Sequence, residues 1–267
     1  MPKSFTGNAL KDVYKDILHT NNSNSGLSTT IKQITCGDGD VTSLYLSNRN
    51  AKVRPEADQT AAFSVTDTDD NTLFVVDSTN DAVKAGVGSH TLNTQYQRFT
   101  LTFLDTHAGS LANTHYAIPI GGNAGLGGVT IANYALGTGT NPATSLTISD
   151  SAHDTLRCYW YVMDNITIDR VIWWSGADAA TGDTTRVHLM SYDVDTANGS
   201  TGGDLSAGAV LADGGDITNA GYEQLYYQQL TIGTADVNAG KVILFAFRSD
   251  SVNSDFTINA TVKYHLR

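Results

Sequence analysis

Between residues 256 and 266 the apolar positions are Phe256, Ile258, Ala260, Val262, Tyr264 and Leu266, and polar side chains fill every place between them. This is the two-residue period of a β-strand with one buried and one wet face. Residues 242–247 are apolar without a break, the pattern of a strand covered on both faces, and the link at 248–255 is rich in Ser, Asp and Asn. The two runs are predicted to pair as a hairpin at the heart of a β-sandwich whose stability depends on the last strand. Upstream, strand-like runs at 97–104, 113–120, 128–134, 145–149, 155–163, 165–174, 184–192, 206–211 and 222–232 carry no helical period. A two-sheet, jelly-roll-like sandwich is the expectation. Ile166 and Ile168 alternate correctly, but strict alternation would then bury Arg170, so a bulge is predicted near 169–171.

The first 26 residues read differently. Leu10, Val13, Tyr14, Ile17 and Leu18 fall on one face of a short amphipathic helix, with Lys11, Asp12, Lys15 and Asp16 opposite, and an Asn/Ser/Gly run at 21–26 stops it. Three turns are too few to be stable alone, so this face is expected to dock, on its own domain or as an anchor to other chains. Short strands follow at 30–36, 41–47, 61–66, 72–77 and 81–85, joined by turn residues. A faint internal echo links residues 44–53 to 73–84: an apolar strand, a polar turn, then a short Ala/Val/Lys strand. So small a segment buries too little to offset chain entropy, which predicts intertwining with other copies.

Composition sharpens this picture. Of 27 acidic residues, 25 are Asp and only Glu56 and Glu223 are Glu, a bias towards turns and away from helix surfaces. A net charge of −11 argues against nucleic acid as a partner. The longest apolar run, six residues, falls far short of the ~20 needed to span a bilayer. Residues 1–20 lack a signal-peptide core, so synthesis and folding in a cytoplasm are expected. Cys36 and Cys158 are expected to be reduced and buried.

Catalytic and metal patterns are weak. The glycine-rich run at 121–128 leads into a strand-like segment where a phosphate loop needs a helix. Asp193, Asp195 and Asp204 approximate a calcium loop but depart from it at the fifth position and at the glycine, leaving solvated turn carboxylates or a structural Ca²⁺ there, or at Asp67, Asp69 and Asp70. The seven histidines have no paired spacing, so no zinc or other transition-metal site is predicted, and no cofactor. No G-x-S-x-G is present, and Asp164 and Asp169 beside Trp160 and Trp173 are only nominally a glycosidase pair, so the chain is expected not to be an enzyme. Aromatic residues concentrate at Tyr159, Trp160, Tyr161, Trp173, Trp174, Tyr222, Tyr226 and Tyr227. Trp173 and Trp174 are candidates for an exposed glycan platform, and Tyr222, Tyr226 and Tyr227 for a subunit interface.

In layout the chain resembles the virion proteins of tailed bacteriophages, the homotrimeric fibres, spikes and capsid appendages. The likeness rests on TGNALKDVYKDIL, the NNSNSG turn, short β repeats of the type AAFSVTDTDDNTLFVVDSTNDAVKAG, and a terminal domain closing on FTINATVKYHL. It implies an all-β homotrimer divided as an anchoring helix and turn at 1–26, an intertwined short-strand region at 27–90 and an outer sandwich at 91–267. Implied partners are other copies of the chain, capsid or tail proteins and a host-surface glycan, with the virion as location. A capsid decoration protein is the alternative reading, and a monomeric carbohydrate-binding module or glycan hydrolase a second one.

Overall fold

A computed structural model of the chain describes residues 18–20, 26–86, 90–105, 112–121, 135–147, 156–178, 181–221, 223–251 and 255–267. The described residues are all-β, in antiparallel sheets, with a single 3-10 turn at Leu156–Cys158 as the helical exception. Two compact units divide the chain, Met1–Asn93 and Thr94–Arg267. Of the predicted helix, Leu10, Val13, Tyr14 and Ile17 lie outside the described residues. Leu18 is exposed and non-helical, immediately before the first strand.

The first unit holds two four-stranded meanders. One runs in order through β1 (His19–Thr20), β2 (Lys32–Thr35), β3 (Val41–Leu46) and β4 (Ala51–Val53), the other through β5 (Phe63–Thr66), β6 (Thr72–Asp77), β7 (Ala82–Ala85) and β8 (His90–Thr91). The echo seen in sequence extends over three strands. Lys32 answers to Phe63, Val41 to Thr72 and Ala51 to Ala82, the same offset each time. The first turns match as well: Cys36 N–H donates to Asp40 O at 2.9 Å and Asp67 N–H to Asn71 O at 3.0 Å. Gly39 at φ 92° and Asp70 at φ 60° hold the same left-handed position.

The second meander is apolar on one face. Cross-strand rows Phe63–Val76–Val83 and Val65–Phe74–Ala85 lie there side by side, and Phe63 and Val65 remain 43% exposed. Asp77 sits on the opposite face, its side chain buried and held by Lys84 at 2.6 Å. That contact, first among its hydrogen bonds, keeps the Asp77 carboxyl below the usual range.

The second unit is two sheets packed face to face. Its strands are β9 (Thr94–Asp105), β10 (Tyr116–Ala117), β11 (Trp160–Tyr161), β12 (Ile166–Asp178), β13 (Thr184–Val194), β14 (Leu205–Asp213), β15 (Ile217–Thr218), β16 (Glu223–Gln229), β17 (Thr231–Ile232), β18 (Asp236–Val237), β19 (Lys241–Ser249) and β20 (Asp255–Leu266). A five-stranded sheet has the order β16-β12-β20-β9, with β18 beside β12. A seven-stranded sheet has the order β10-β19-β13-β14-β17, with β11 beside β19 and β15 beside β13. Trp173, Phe99 and Phe256 of the first meet Phe247 and Phe245 of the second, at ring-centroid distances of 5.9 Å for Trp173–Phe247, 5.8 Å for Phe99–Phe245 and 5.0 Å for Phe247–Phe256. These aromatics pack between the two sheets within one continuous core that also holds Ile118, Val171, Leu189, Leu244 and Ile258.

The alternation of β20 holds: Phe256, Ile258, Ala260 and Val262 are buried, and Thr257 and Asn259 exposed. The predicted bulge is also present, a register shift against β20 between Ile168 and Arg170. The predicted hairpin is not. Strands β19 and β20 belong to opposite sheets and do not pair with each other. Strand β19 is buried on both faces, and residues 135–147 lie against its sheet, where Arg248 of β19 donates Nη1–H to Gly139 O at 3.2 Å. Tyr192 O–H donates to Ala143 O at 2.9 Å, Gly208 N–H donates to Thr144 O at 2.8 Å, and Leu146 pairs with Leu205. Cys158 is buried and Cys36 half-buried, and neither is in a disulfide.

Candidate functional site

The outer face of the five-stranded sheet is built by register. Directly paired residues give a row Tyr227–Trp174–Asn259–Thr100, then Gln229–Ile172–Thr261–Arg98, then Arg170–Lys263–Tyr96; on the other side of Trp174 lies Leu225–Gly176–Thr257. Their neighbours in sequence, among them Phe99, Val171, Trp173, Ala260 and Val262, point into the core, so these rows face out. Successive rows lie two residues apart along the strands, about 7 Å.

Trp174 and Tyr227 meet at 4.6 Å between ring centroids, tilted by 52°, and are 41% and 45% exposed. Arg170 Nη2 donates to the Tyr227 hydroxyl at 3.4 Å, bracing the pair. Gly176 leaves the sheet bare beside them. Arg98, Arg170 and Lys263 are the charged groups of these four rows, and the row that follows by register beyond Gly176 is Glu223–Asp178–Asp255–Asp105, four acidic residues. Asp169, just off the rows at the bulge, is held by His265 Nδ1 at 2.9 Å. The bulge thus turns Asp169 towards His265 and brings Arg170 onto the outer face. An aromatic pair flanked by cations, open to solvent on a flat sheet, can stack on a ring and attract negative charge.

The predicted site residues distribute as follows. Trp173 is wholly buried, donating Nε1–H to Gln228 Oε1 at 3.0 Å, and cannot be part of an exposed platform. Trp174, one residue on, faces solvent. Tyr226 is half-buried against the core; its hydroxyl accepts from Ala220 N–H at 2.7 Å and donates to Gln224 Oε1 at 2.6 Å, which occupies it within its own chain. Tyr227 is exposed, and Tyr222 lies outside the described residues. Trp174 and Tyr227, assigned to different tasks by sequence, therefore belong to one surface. Asp195 is absorbed by its own loop, accepting from Ala197 N–H and Thr201 Oγ1, and Asp193 pairs with Lys241. Among the described residues no group of three or more His, Cys, Asp or Glu is gathered closely enough to hold a metal.

A second polar cluster lies on the far side of the unit, where residues 135–147 cover the large sheet. His115 and His188 meet edge to face at 5.1 Å, both fully buried. His115 Nε2 lies 3.0 Å from Gly139 O, whereas His115 Nδ1 and both ring nitrogens of His188 lack hydrogen-bond partners. Burial pushes His188 down to about 4 and lowers His115 as well; Asp213, 3.7 Å from His188, pulls the other way. Arg186 holds Asp213 through two hydrogen bonds and keeps that carboxylate committed. No protein-family model matches the chain, and no curated protein matches it.

Proposed function

We propose that the protein is a non-enzymatic structural component of a tailed-phage virion: a homotrimeric appendage, attached by its first unit, that presents the second unit to the host surface. The observation that carries this reading is the open apolar face of the second meander, rows Phe63–Val76–Val83 and Val65–Phe74–Ala85. A lone chain leaves that face in water, which a small sheet cannot sustain cheaply, whereas copies of the chain would cover it. Tandem repetition of the meander suits a shaft in which each repeat meets its equivalent in the neighbouring chains.

The order of the eight principal strands supports a jelly-roll reading of the outer unit. Numbered by their succession, β9, β10, β12, β13, β14, β16, β19 and β20 form one sheet ordered first, eighth, third, sixth and another ordered second, seventh, fourth, fifth. Jelly rolls serve both viral particles and sugar-binding proteins. The exposed Trp174–Tyr227 pair supports contact with a host glycan.

Immunogold labelling of particles from cells that produce this protein tests the reading. Label on tails is the expected result; label on heads would make it a capsid decoration protein. Unlabelled particles beside free protein would overturn the virion assignment.

A further inference from the structure

We propose that the outer face of the five-stranded sheet binds an anionic polysaccharide, an inference that rests on the host-contact reading above and specifies its ligand. Twenty-seven acidic residues against sixteen basic ones make the chain strongly negative. Within four rows of this face the balance reverses: Arg98, Arg170 and Lys263 stand there without a carboxylate, while the next row by register beyond Gly176, Glu223–Asp178–Asp255–Asp105, is wholly acidic and confines an anion to the end between Trp174 and Lys263. Neither Arg98 nor Lys263 has an ion-pair partner among the described residues. Three cations on one wet face repel each other, so their placement favours an anion arriving from outside.

The geometry separates two kinds of recognition. Trp174 and Tyr227 offer an exposed π surface at one row, suited to the apolar face of a sugar ring. Arg98 lies one row away and Arg170 with Lys263 two rows away, about 7 and 14 Å along the strands. A chain of sugars crossing the strands' length from Trp174 towards Lys263 would stack at one end and meet cations further on. Guanidinium groups fit carboxylates and sulfates alike. A second copy of the protein is the less suitable occupant, because a symmetric contact would bury these like charges together, and charges are depleted at interface cores.

Gly176 gives a test that leaves the packing alone. A Cβ there meets only Thr257 Cβ, at an ordinary 3.8 Å. The full chain is assayed by biolayer interferometry against immobilised polyuronate, heparin, neutral dextran and oligothymidylate. Binding to polyuronate and heparin, weakening as salt rises, with none to dextran, is expected. Arg98→Glu and Lys263→Glu should each lower affinity about tenfold or more, corresponding to roughly 1.4 kcal/mol. Gly176→Glu should lower it and Gly176→Gln should largely retain it, which separates charge from bulk. Trp174→Ala should abolish binding.

Dextran bound as tightly as polyuronate, without salt dependence, would overturn the anionic assignment and leave glycan contact standing. Failure to bind any polysaccharide would overturn both. Oligothymidylate bound as tightly as polyuronate would make the face a nucleic-acid surface, and a change of native mass in Arg98→Glu or Trp174→Ala would make it a subunit interface. Either result contradicts the proposal.

Discussion

Trp173 and Trp174 stand next to each other, yet their surroundings assign them opposite consequences. Trp173 is fully buried against Phe247, with its Nε1–H satisfied by Gln228. Truncation to Ala should cost about 3–5 kcal/mol in chemical denaturation. Trp174→Ala should change stability by about 0.5 kcal/mol or less, since its ring is half in solvent. A second residue-scale expectation concerns Gly208 on β14. A Cβ there would lie 2.5 Å from Tyr192 Cε1 and 2.8 Å from Thr144 Cα, and the latter is backbone that cannot step aside. Gly208→Ala should therefore destabilise the second unit by about 1–3 kcal/mol, through Tyr192 and the covering segment together, as thermal unfolding would register.

At the scale of elements, alternation identified the buried face of β20 from Phe256 to Val262, because a period of two says which face of a strand is wet, whereas Leu266 at its end is exposed. It was silent on neighbours. The mistaken hairpin between β19 and β20 follows from that silence: an apolar run and an alternating run joined by a polar link read the same whether the link turns or crosses between sheets. The same gap hid the candidate site. Lys263 and Asn259 were recognisable as outward-facing on β20, and Arg98 on β9, but only strand order brings them beside Trp174 and Tyr227. Trp173 and Trp174 were nominated together although adjacent residues of a strand face opposite sides, so only one of the two could be exposed. The echo between the two meanders was faint because backbone and turns are repeated while the apolar face is not: Phe74 and Val76 of the second copy answer to Ser43 and Tyr45 of the first.

The covering segment, residues 135–147, also carries a pH dependence. His188 and His115 are held neutral by burial, with Arg186 and Arg248 nearby disfavouring protonation and Asp213 favouring it. Unfolding restores an ordinary histidine near 6.5, so stability is fully present above about pH 6.5 and is lost as pH falls towards 4. His188 alone should contribute about 1.4 kcal/mol per pH unit within that window. Urea titrations at several pH values would measure the slope, and His188→Met should remove most of it.

For the whole molecule, the two units divide the work. The second unit has a large shared core, with exposed apolar groups such as Met163 and Tyr161 and the neighbouring Leu225, Tyr227 and Trp174 on its surface. The first unit has small sheets and exposed apolar side chains, including Val41, Leu44, Val53, Phe63, Val65 and Leu73. On the proposed trimer reading, association runs through the first unit, and Phe63→Asp combined with Val65→Asp should then give a monomer while leaving the strand content of the second unit unchanged by circular dichroism. The most direct measurement is the native mass of the purified full chain by light scattering over a range of concentrations. A mass of about three times 28.4 kDa, independent of dilution, is the predicted result; a monomer at 28.4 kDa throughout would contradict the trimer and the virion reading built on it.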